Sequence, residues 1–541
     1  MVKRYTSALL AALLLPAAPV FAASSGFSVE QILSYPYPLN LVSGADGRTI
    51  AYSLDERGVR NVFVANAPDY APRMITHYTA DDGQEITNLK ISHDGKYVVY
   101  VRGGDHDSNW PVSFPPDPAR SGVAPQMQVW SVALQGTGTP VALGDGDAPS
   151  ISPDNKRVAF LAQDQSVEWA PLDGSGKADK LFFDEGQDSD LQWSPDGSAL
   201  AFVSTRTDHS FIGVYRDDST PLRFLSPSTS QDVEPRWSPD GTHIAYLRVP
   251  GSGGAPVPDF VFTATPWAIW VGDARTGSAT RVWTSGTSLR DGFPDDFDPS
   301  LRWTRANRLT FTSSADGWPH VYSVSPSGGA ARLLTPGRFM VEDTALSSDG
   351  RTLYYSANTG GTPGDFDRRH IFGVAVSTGR VQELTRGSSS EWSPAATSDA
   401  VALIHADAKQ PPLVSIVART GGTPRALDRD RLPATFPQSQ LIVPKSVTFR
   451  AADGRIAHGQ LFENNGRCCE ETRGDFCARR TAASNAHDLA LHGLLHQRLR
   501  DEPVFCESRV RRSLRQLPAR NRLRVRLRAP AALGSDRRVG I

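Results

Sequence analysis

Apolar and polar positions alternate in short runs along most of this chain, and each run restarts after a similar polar turn. Thr49-Ile50-Ala51-Tyr52 follows Asp46-Gly47, YVVYV follows Asp94-Gly95, and VAFL follows Asp154-Asn155. LAFV follows Asp196-Gly197 and IAYL follows Asp240-Gly241, the last two inside the cassettes WSPDGSALAFV and WSPDGTHIAYL. Weaker copies are RWTRANRLTFT from Arg302, LSSDGRTLYYS from Leu346 and WSPAATSDAVALI from Trp392. Taking the Asp or its equivalent (Asp46, Asp94, Asp154, Asp196, Asp240, Ala306, Asp349, Ala395) gives eight copies spaced by 42 to 66 residues. Each reads as a strand end, a tight turn and a new strand. Pro presets φ, Asp bonds back to the backbone, and Gly takes the positive φ that other residues resist. The short apolar runs are rich in β-branched and aromatic residues, as buried strands are.

A turn-and-strand unit recurring at this spacing predicts an all-β chain folded as a β-propeller, one four-stranded blade per copy. The expected count is eight blades, with seven as the alternative because the first and last copies are weak. Long runs of helical period, which a helical array would need, are missing. Two Pro/Gly-rich insertions, GGDHDSNWPVSFPPDPARSG from Gly103 and VPGSGGAPVPDFVFTATPW from Val249, read either as loops at a propeller mouth or as solvated connectors. RDGFPDDFDPS from Arg290 holds four Asp, which read either as a solvated loop or as a place for a ligand's amine. Beyond the last copy, alternation in VTFRA, a turn at Asp453-Gly454 and alternation in IAHGQLF predict a hairpin.

Composition adds two ends that differ from this body. The first residues, MVKRYTSALLAALLLPAAPVFAASS, have Lys3 and Arg4, an apolar stretch from Ala8 to Val20, and small residues after it. That is a secretory signal layout with cleavage after Ala22 or Ala23, so a periplasmic or secreted protein is expected. From Arg467 to Ile541 there are 17 Arg, eight acids and no Lys, Trp, Tyr or Met. All four cysteines fall there too: Cys468, Cys469, Cys477 and Cys506. With a whole-chain charge of -1, residues 1–466 carry about -10, so the body is a poor nucleic-acid binder. The tail's best basic patch is RNRLRVRLR from Arg520, an improbable nucleic-acid reader in an exported protein. The cysteines with His487 lack the paired C-x2-C spacing of a zinc site. No metal, cofactor, nucleic-acid partner or membrane span is expected, and the tail is expected to be disordered. The organisation expected is therefore signal peptide 1–23, propeller 24–440, the start of another domain at 441–463, and a non-native tail 464–541.

The WSPDG cassettes resemble the propeller repeats of TolB-like proteins and of the prolyl oligopeptidase and dipeptidyl peptidase IV families. The hairpin in LIVPKSVTFRAADGRIAHGQLFE, Leu441 to Glu463, resembles the first hairpin of the α/β-hydrolase domain of those peptidases, which TolB-like proteins lack. The resemblance implies a His-Gly-Gly-Pro oxyanion motif next, then a Gly-x-Ser-x-Gly elbow with its His and Asp partners. Neither motif occurs in this chain. Back-read one base out of frame with GC-rich codons, CCEETRGDFCARRT (Cys468 to Thr481) becomes AAKKPAVIFVHGGP, which contains the oxyanion motif. Leu489 to Val504 and SLRQLP from Ser513 also back-read as stretches resembling the family's continuation. The expectation is a frame-shifted dipeptidyl peptidase IV-like serine peptidase, with the family's Ser, Asp and His all beyond Ile541. No residue is assigned as catalytic, cofactor-binding or metal-binding, and short peptides are the partner of the intact family member. The family's amine-binding Glu pair has no counterpart either, since residues 24–466 contain no Glu-Glu. The alternative reading is a TolB-like binding module without peptidase activity.

Overall fold

The computed structural model describes residues 27–103, 126–135, 138–253, 263–294, 300–359, 367–451 and 453–462. Within them the chain runs as antiparallel meanders in which each strand pairs with the next. Six are separate four-stranded sheets. From Ile86 to Phe182 seven strands form one continuous sheet. Its long strand Val141–Ile151 pairs first with Gln128–Ala133 and then with Arg157–Ala162. Counting that strand in both halves resolves the sheets into successive four-stranded runs, and each turn cassette joins the first strand of a run to its second.

The first strands are β1 (Tyr37–Ser43), β2 (Ile86–Ile91), β3 (Val141–Ile151), β4 (Gln187–Trp193), β5 (Gln231–Trp237), β6 (Arg302–Trp303), β7 (Val341–Leu346) and β8 (Ser390–Ala396). Neighbours in this series lie side by side, and β8 lies beside β1, so the series closes on itself. They are half-buried and polar, as walls of a water-filled channel must be. The second strands behind them, such as Leu200–Thr205 and Leu309–Ser313, are buried almost throughout. Side chains between adjacent sheets form the core; Ile212 and Val214 of one sheet meet Ile244 and Tyr246 of the next. Full burial of one such aliphatic side chain contributes about 1.5–3 kcal/mol.

The turn chemistry is visible atom by atom. In Ser194-Pro195-Asp196-Gly197 the serine hydroxyl donates to Asp196 Oδ1 (2.6 Å) and accepts from the Ala199 amide (3.0 Å). Gly197 sits at φ 71°, and Asn155 replaces glycine at the same place with φ 58°. The cassette tryptophans reach sideways: Trp193 Nε1 donates to Ser150 O (3.1 Å) and Trp237 Nε1 to Gln192 O (2.9 Å). Each therefore ties one first strand to the preceding one. The last cassette corrects the sequence reading. Ala395 is not in the turn; it pairs with Ala402 inside the sheet, and the turn falls four residues later at Thr397-Ser398-Asp399. The cause is that Ser393-Pro394 matches the bulge pair Glu234-Pro235 of β5 rather than a turn, with Ser393 at φ 50° and Glu234 at φ 54°.

Among the described residues no strand is shared between the first and last sheets; one backbone hydrogen bond, from the Ser398 amide to Gly47 O (2.7 Å), crosses the seam and side chains do the rest. A cluster including Ile50, Tyr52 and Phe63 on one side and Ala402, Val414 and Ile416 on the other fills it. Two tyrosines from the first sheet pin it. Tyr70 OH donates to Asp399 Oδ1 (2.5 Å) and lies 2.6 Å from Thr397 Oγ1, while Tyr52 OH donates to Asp428 Oδ1 (2.9 Å). Asp428 is buried and its Oδ2 has no partner among the described residues. Burial pushes its carboxyl up to about 6; Tyr52 and Arg431 pull it down, and Asp430 and Glu56 push it up. With a folded pKa above its ordinary value, this group's stabilising effect is complete at acid pH and is lost as pH rises through about 6. Replacing Tyr52 by Phe should cost about 1–3 kcal/mol by stranding the carboxylate. Because the ionised form suffers more, the drop in melting temperature should be larger at pH 8 than at pH 5. Equal drops at both would refute this account of the seam.

Connections between first and second strands, and between third and fourth, share one end of the propeller; the others share the opposite end. The strands flanking residues 104–125, 254–262 and 360–366 are second and third strands, and residues 295–299 lie between a fourth strand and a first. The two Pro/Gly-rich insertions lie mostly outside the described residues; the strand ends that flank them are at the end opposite the turn cassettes. The chain also enters and leaves there. Helix α1 (Val29–Ile32), capped by the Ser28 side chain, leads into β1. Tyr35 meets Phe436 edge-on at 5.9 Å, joining the segments before β1 and after the last sheet. The hairpin of β9 (Lys445–Arg450) and β10 (Ile456–Leu461) follows, paired from Lys445–Leu461 to Arg450–Ile456.

Candidate functional site

Each first strand except β7 carries a residue of positive φ four positions before its turn: Asn40, Asn88, Ala148, Asp190, Glu234, Ser300 and Ser393. For β1 to β5 and β8 it coincides with a register shift against the second strand. Such a bulge twists the strand and re-aims its side chains. Here polar groups are aimed along the ring. Asn40 Nδ2 donates to Ile86 O (2.7 Å), and Asn88 Nδ2 to Asp147 Oδ1 (2.9 Å). Arg236 donates through Nη1 to Asp190 Oδ2 (2.9 Å) and through Nε to Leu301 O (3.0 Å), while the Leu301 amide donates to Glu234 Oε2 (3.0 Å). Arg302 reaches Thr344 Oγ1 (2.7 Å) and Thr344 O (3.0 Å), and the Ser393 amide donates to Asp343 Oδ2 (3.0 Å). The channel wall is thus stitched by side chains where no backbone ladder runs.

Two residues before the bulge, three strands bury an acid near the end at which the hairpin leaves. Each solves the burial differently. Asp232 is gripped by Arg248 through Nε to Oδ1 (2.6 Å) and Nη2 to Oδ2 (2.8 Å), with the guanidinium 4.5 Å from the Trp270 ring centre. Burial still outweighs the arginine and pushes Asp232 up to about 6. Asp188 has no cation of its own; burial first and then the neighbouring Asp184 push it up to about 8. Glu391, 0% exposed, accepts from His370 Nδ1 (2.7 Å), Thr385 Oγ1 (2.8 Å) and His405 Nδ1 (3.0 Å). Burial would raise its pKa, but hydrogen bonds from His370, His405, Ser389 and Thr385 bring it down to about 2.

In the third cluster the two histidines and Ser389 are all turned to Glu391. The acidic loop from Arg290 divides. Asp291 is spent on the Ser288 hydroxyl (2.6 Å), and Asp295, Asp296 and Asp298 lie outside the described residues. The signal segment, the tail with its cysteines and His487, and the basic patch from Arg520 also lie outside them. Among the described residues no helix is long and apolar enough to cross a membrane, and no group of three or more His, Cys, Asp or Glu could hold a metal ion.

Residues 266–412 match the family model for the dipeptidyl peptidase IV (DPP IV) N-terminal region. That stretch of the propeller resembles the dipeptidyl peptidase IV N-terminal region. A search of curated proteins by sequence finds no match. Similar solved structures include dipeptidyl peptidase 4 of Porphyromonas gingivalis, 13% identical with TM-score 0.57, covering 81% of this chain and 67% of that one. A puromycin-hydrolysing peptidase of Mycobacterium tuberculosis is 17% identical with TM-score 0.48, covering 70% and 58%. The acylaminoacyl peptidase of Pyrococcus horikoshii is 13% identical with TM-score 0.46, covering 80% and 59%. At these identities the Porphyromonas structure supports the fold alone, and the chain spans between 58% and 67% of the three proteins.

For this propeller, the sequence reading found the turns and missed the bulges. A signal was there: Asn40, Asn88 and Asp190 are residue types that tolerate positive φ, each six positions before the Asp of a cassette. Side-chain reach from one first strand to the next, as in Arg236, had no sequence signal.

Proposed function

We propose that this chain is the propeller portion of an exported, dipeptidyl peptidase IV-like serine peptidase acting on short peptides, and that it does not itself hydrolyse them. The observation that carries the reading is the hairpin after the propeller. Its Phe449 (46% exposed), Ile456 (61%) and nearby Phe462 (51%) lie open, as do Ile442 and Val443 just before it. A two-stranded hairpin with apolar residues in water is marginal on its own and is built to be covered. In the peptidases this hairpin opens the hydrolase domain, and the family match of the propeller supports that context. The chain contains no Gly-x-Ser-x-Gly, so it lacks the elbow that would present a nucleophile. A frame shift near codon 463, with the tail read out of frame, accounts for both. The hairpin favours this reading over a binding module of the TolB kind.

The purified chain, offered chromogenic Xaa-Pro dipeptide substrates, should give no turnover above buffer. Hydrolysis that a serine-directed inhibitor abolishes would overturn the proposal.

A further inference from the structure

Two positions beyond the bulge, three first strands carry a cation facing the ring: Lys90 on β2, Arg236 on β5 and Arg302 on β6. Two are spent. Arg236 bridges Asp190 and Leu301 O, and Arg302 holds Thr344. Lys90 is exposed, and its ammonium makes no hydrogen bond or ion pair among the described residues. The carboxylates around it are already engaged. Asp190 accepts from Arg236 (2.9 Å) and Gln192 Nε2 (2.7 Å), Asp147 from Asn88, and Glu234 from the Leu301 amide. Yet Asp190 and Arg236, two and three sheets away along the ring, lie close enough to act on Lys90. By register the ammonium stands where Arg236 and Arg302 reach along the ring, on the channel side of the wall. Crowding by protein lowers its pKa, Asp190 raises it and Arg236 lowers it.

We propose that Lys90 is an anion post in the channel and that it takes a carboxylate of a peptide, terminal or side-chain. An anion entering there meets a cation that no carboxylate holds among the described residues, while the wall acids Asp190 and Glu234 are paired with Arg236. A lysine head, a compact point charge with three donors, suits one carboxylate without demanding a bidentate fit. The inference rests on the peptide-handling reading of the propeller and deepens it.

The test uses the full chain, its K90Q and K90R variants, and calorimetric titration with Gly-Pro-Ala, its C-terminal amide, the amide of Gly-Pro-Asp, and inorganic phosphate. Gly-Pro-Ala should bind about tenfold more tightly to the natural chain than to K90Q, the worth of one charge-assisted contact. Its amide should lose the same factor and be indifferent to K90Q, and K90R should retain acid binding. Recovery of affinity with the Gly-Pro-Asp amide identifies a side-chain carboxylate as an accepted source. Acid affinity should also fade as Lys90 deprotonates, below the ordinary lysine range. Equal affinity of the acid and amide overturns the Lys90 assignment and leaves the peptide reading standing. If neither peptide binds, both fall, and phosphate binding lost in K90Q then makes this a site for inorganic anions instead.

Discussion

Moving the reading frame of the coding DNA by one base between codons 460 and 470 is expected to yield a chain that hydrolyses short Xaa-Pro peptides. The gain over the present chain should be at least about 10⁴-fold, since loss of a single triad member already costs that order. The argument is chemical. Attack on an amide needs a hydroxyl, a base to take its proton and donors for the oxyanion, and these act as one unit. In the described part of the propeller the buried His370 and half-buried His405 are both turned to Glu391. The corrected chain should also cover Phe449, Ile456 and Phe462, which are open here, and so protect the hairpin from proteolysis. A corrected frame that encodes no Gly-x-Ser-x-Gly elbow would end the frame-shift reading. So would a folded but inert product.

The second large effect concerns Glu391. Replacing it by Ala should destabilise the propeller by about 3–5 kcal/mol, the usual cost of removing one member of a buried charged cluster. Three donors, on His370, His405 and Thr385, would lose their acceptor, two of them on buried residues. The pH dependence gives an independent reading. Glu391 is held at about 2, below its ordinary value, so its contribution is present above the ordinary Glu range and lost as pH falls toward 2. Denaturant midpoints of the natural chain and of E391A should therefore converge on acidification. A midpoint difference that stays constant from pH 7 to pH 3 would mean the loss comes from a cavity, not from charge. Glu391→Gln, which fills the cavity but removes the charge, separates the two.

The cassettes were legible because a turn is local chemistry. Ser, Pro, Asp and Gly at four consecutive positions carry their own hydrogen bonds and φ values, whatever surrounds them. The apolar runs behind them were legible for the same reason, since alternation reports which face is buried. The weak last cassette shows the limit. Ser393-Pro394 looks like a turn by composition, yet it is a bulge, because the pairing of Ala395 with Ala402 continues the sheet four residues further. Only the partner strand could decide that.

The ring of first strands was not legible. Arg236 reads as a solvent-facing strand cation until Asp190, 46 positions earlier, and Leu301, 65 positions later, are seen on either side of it. Asp428 reads as a loop acid until Tyr52, 376 positions away, is found across the seam. By itself the sequence determined the repeating unit and the all-β class, because each depends on neighbours in the chain. Tertiary structure alone decided which polar residues are spent and which remain free, Lys90 among them. Such pairing energies arise between groups that are distant along the chain and meet only once the sheets stand in a ring.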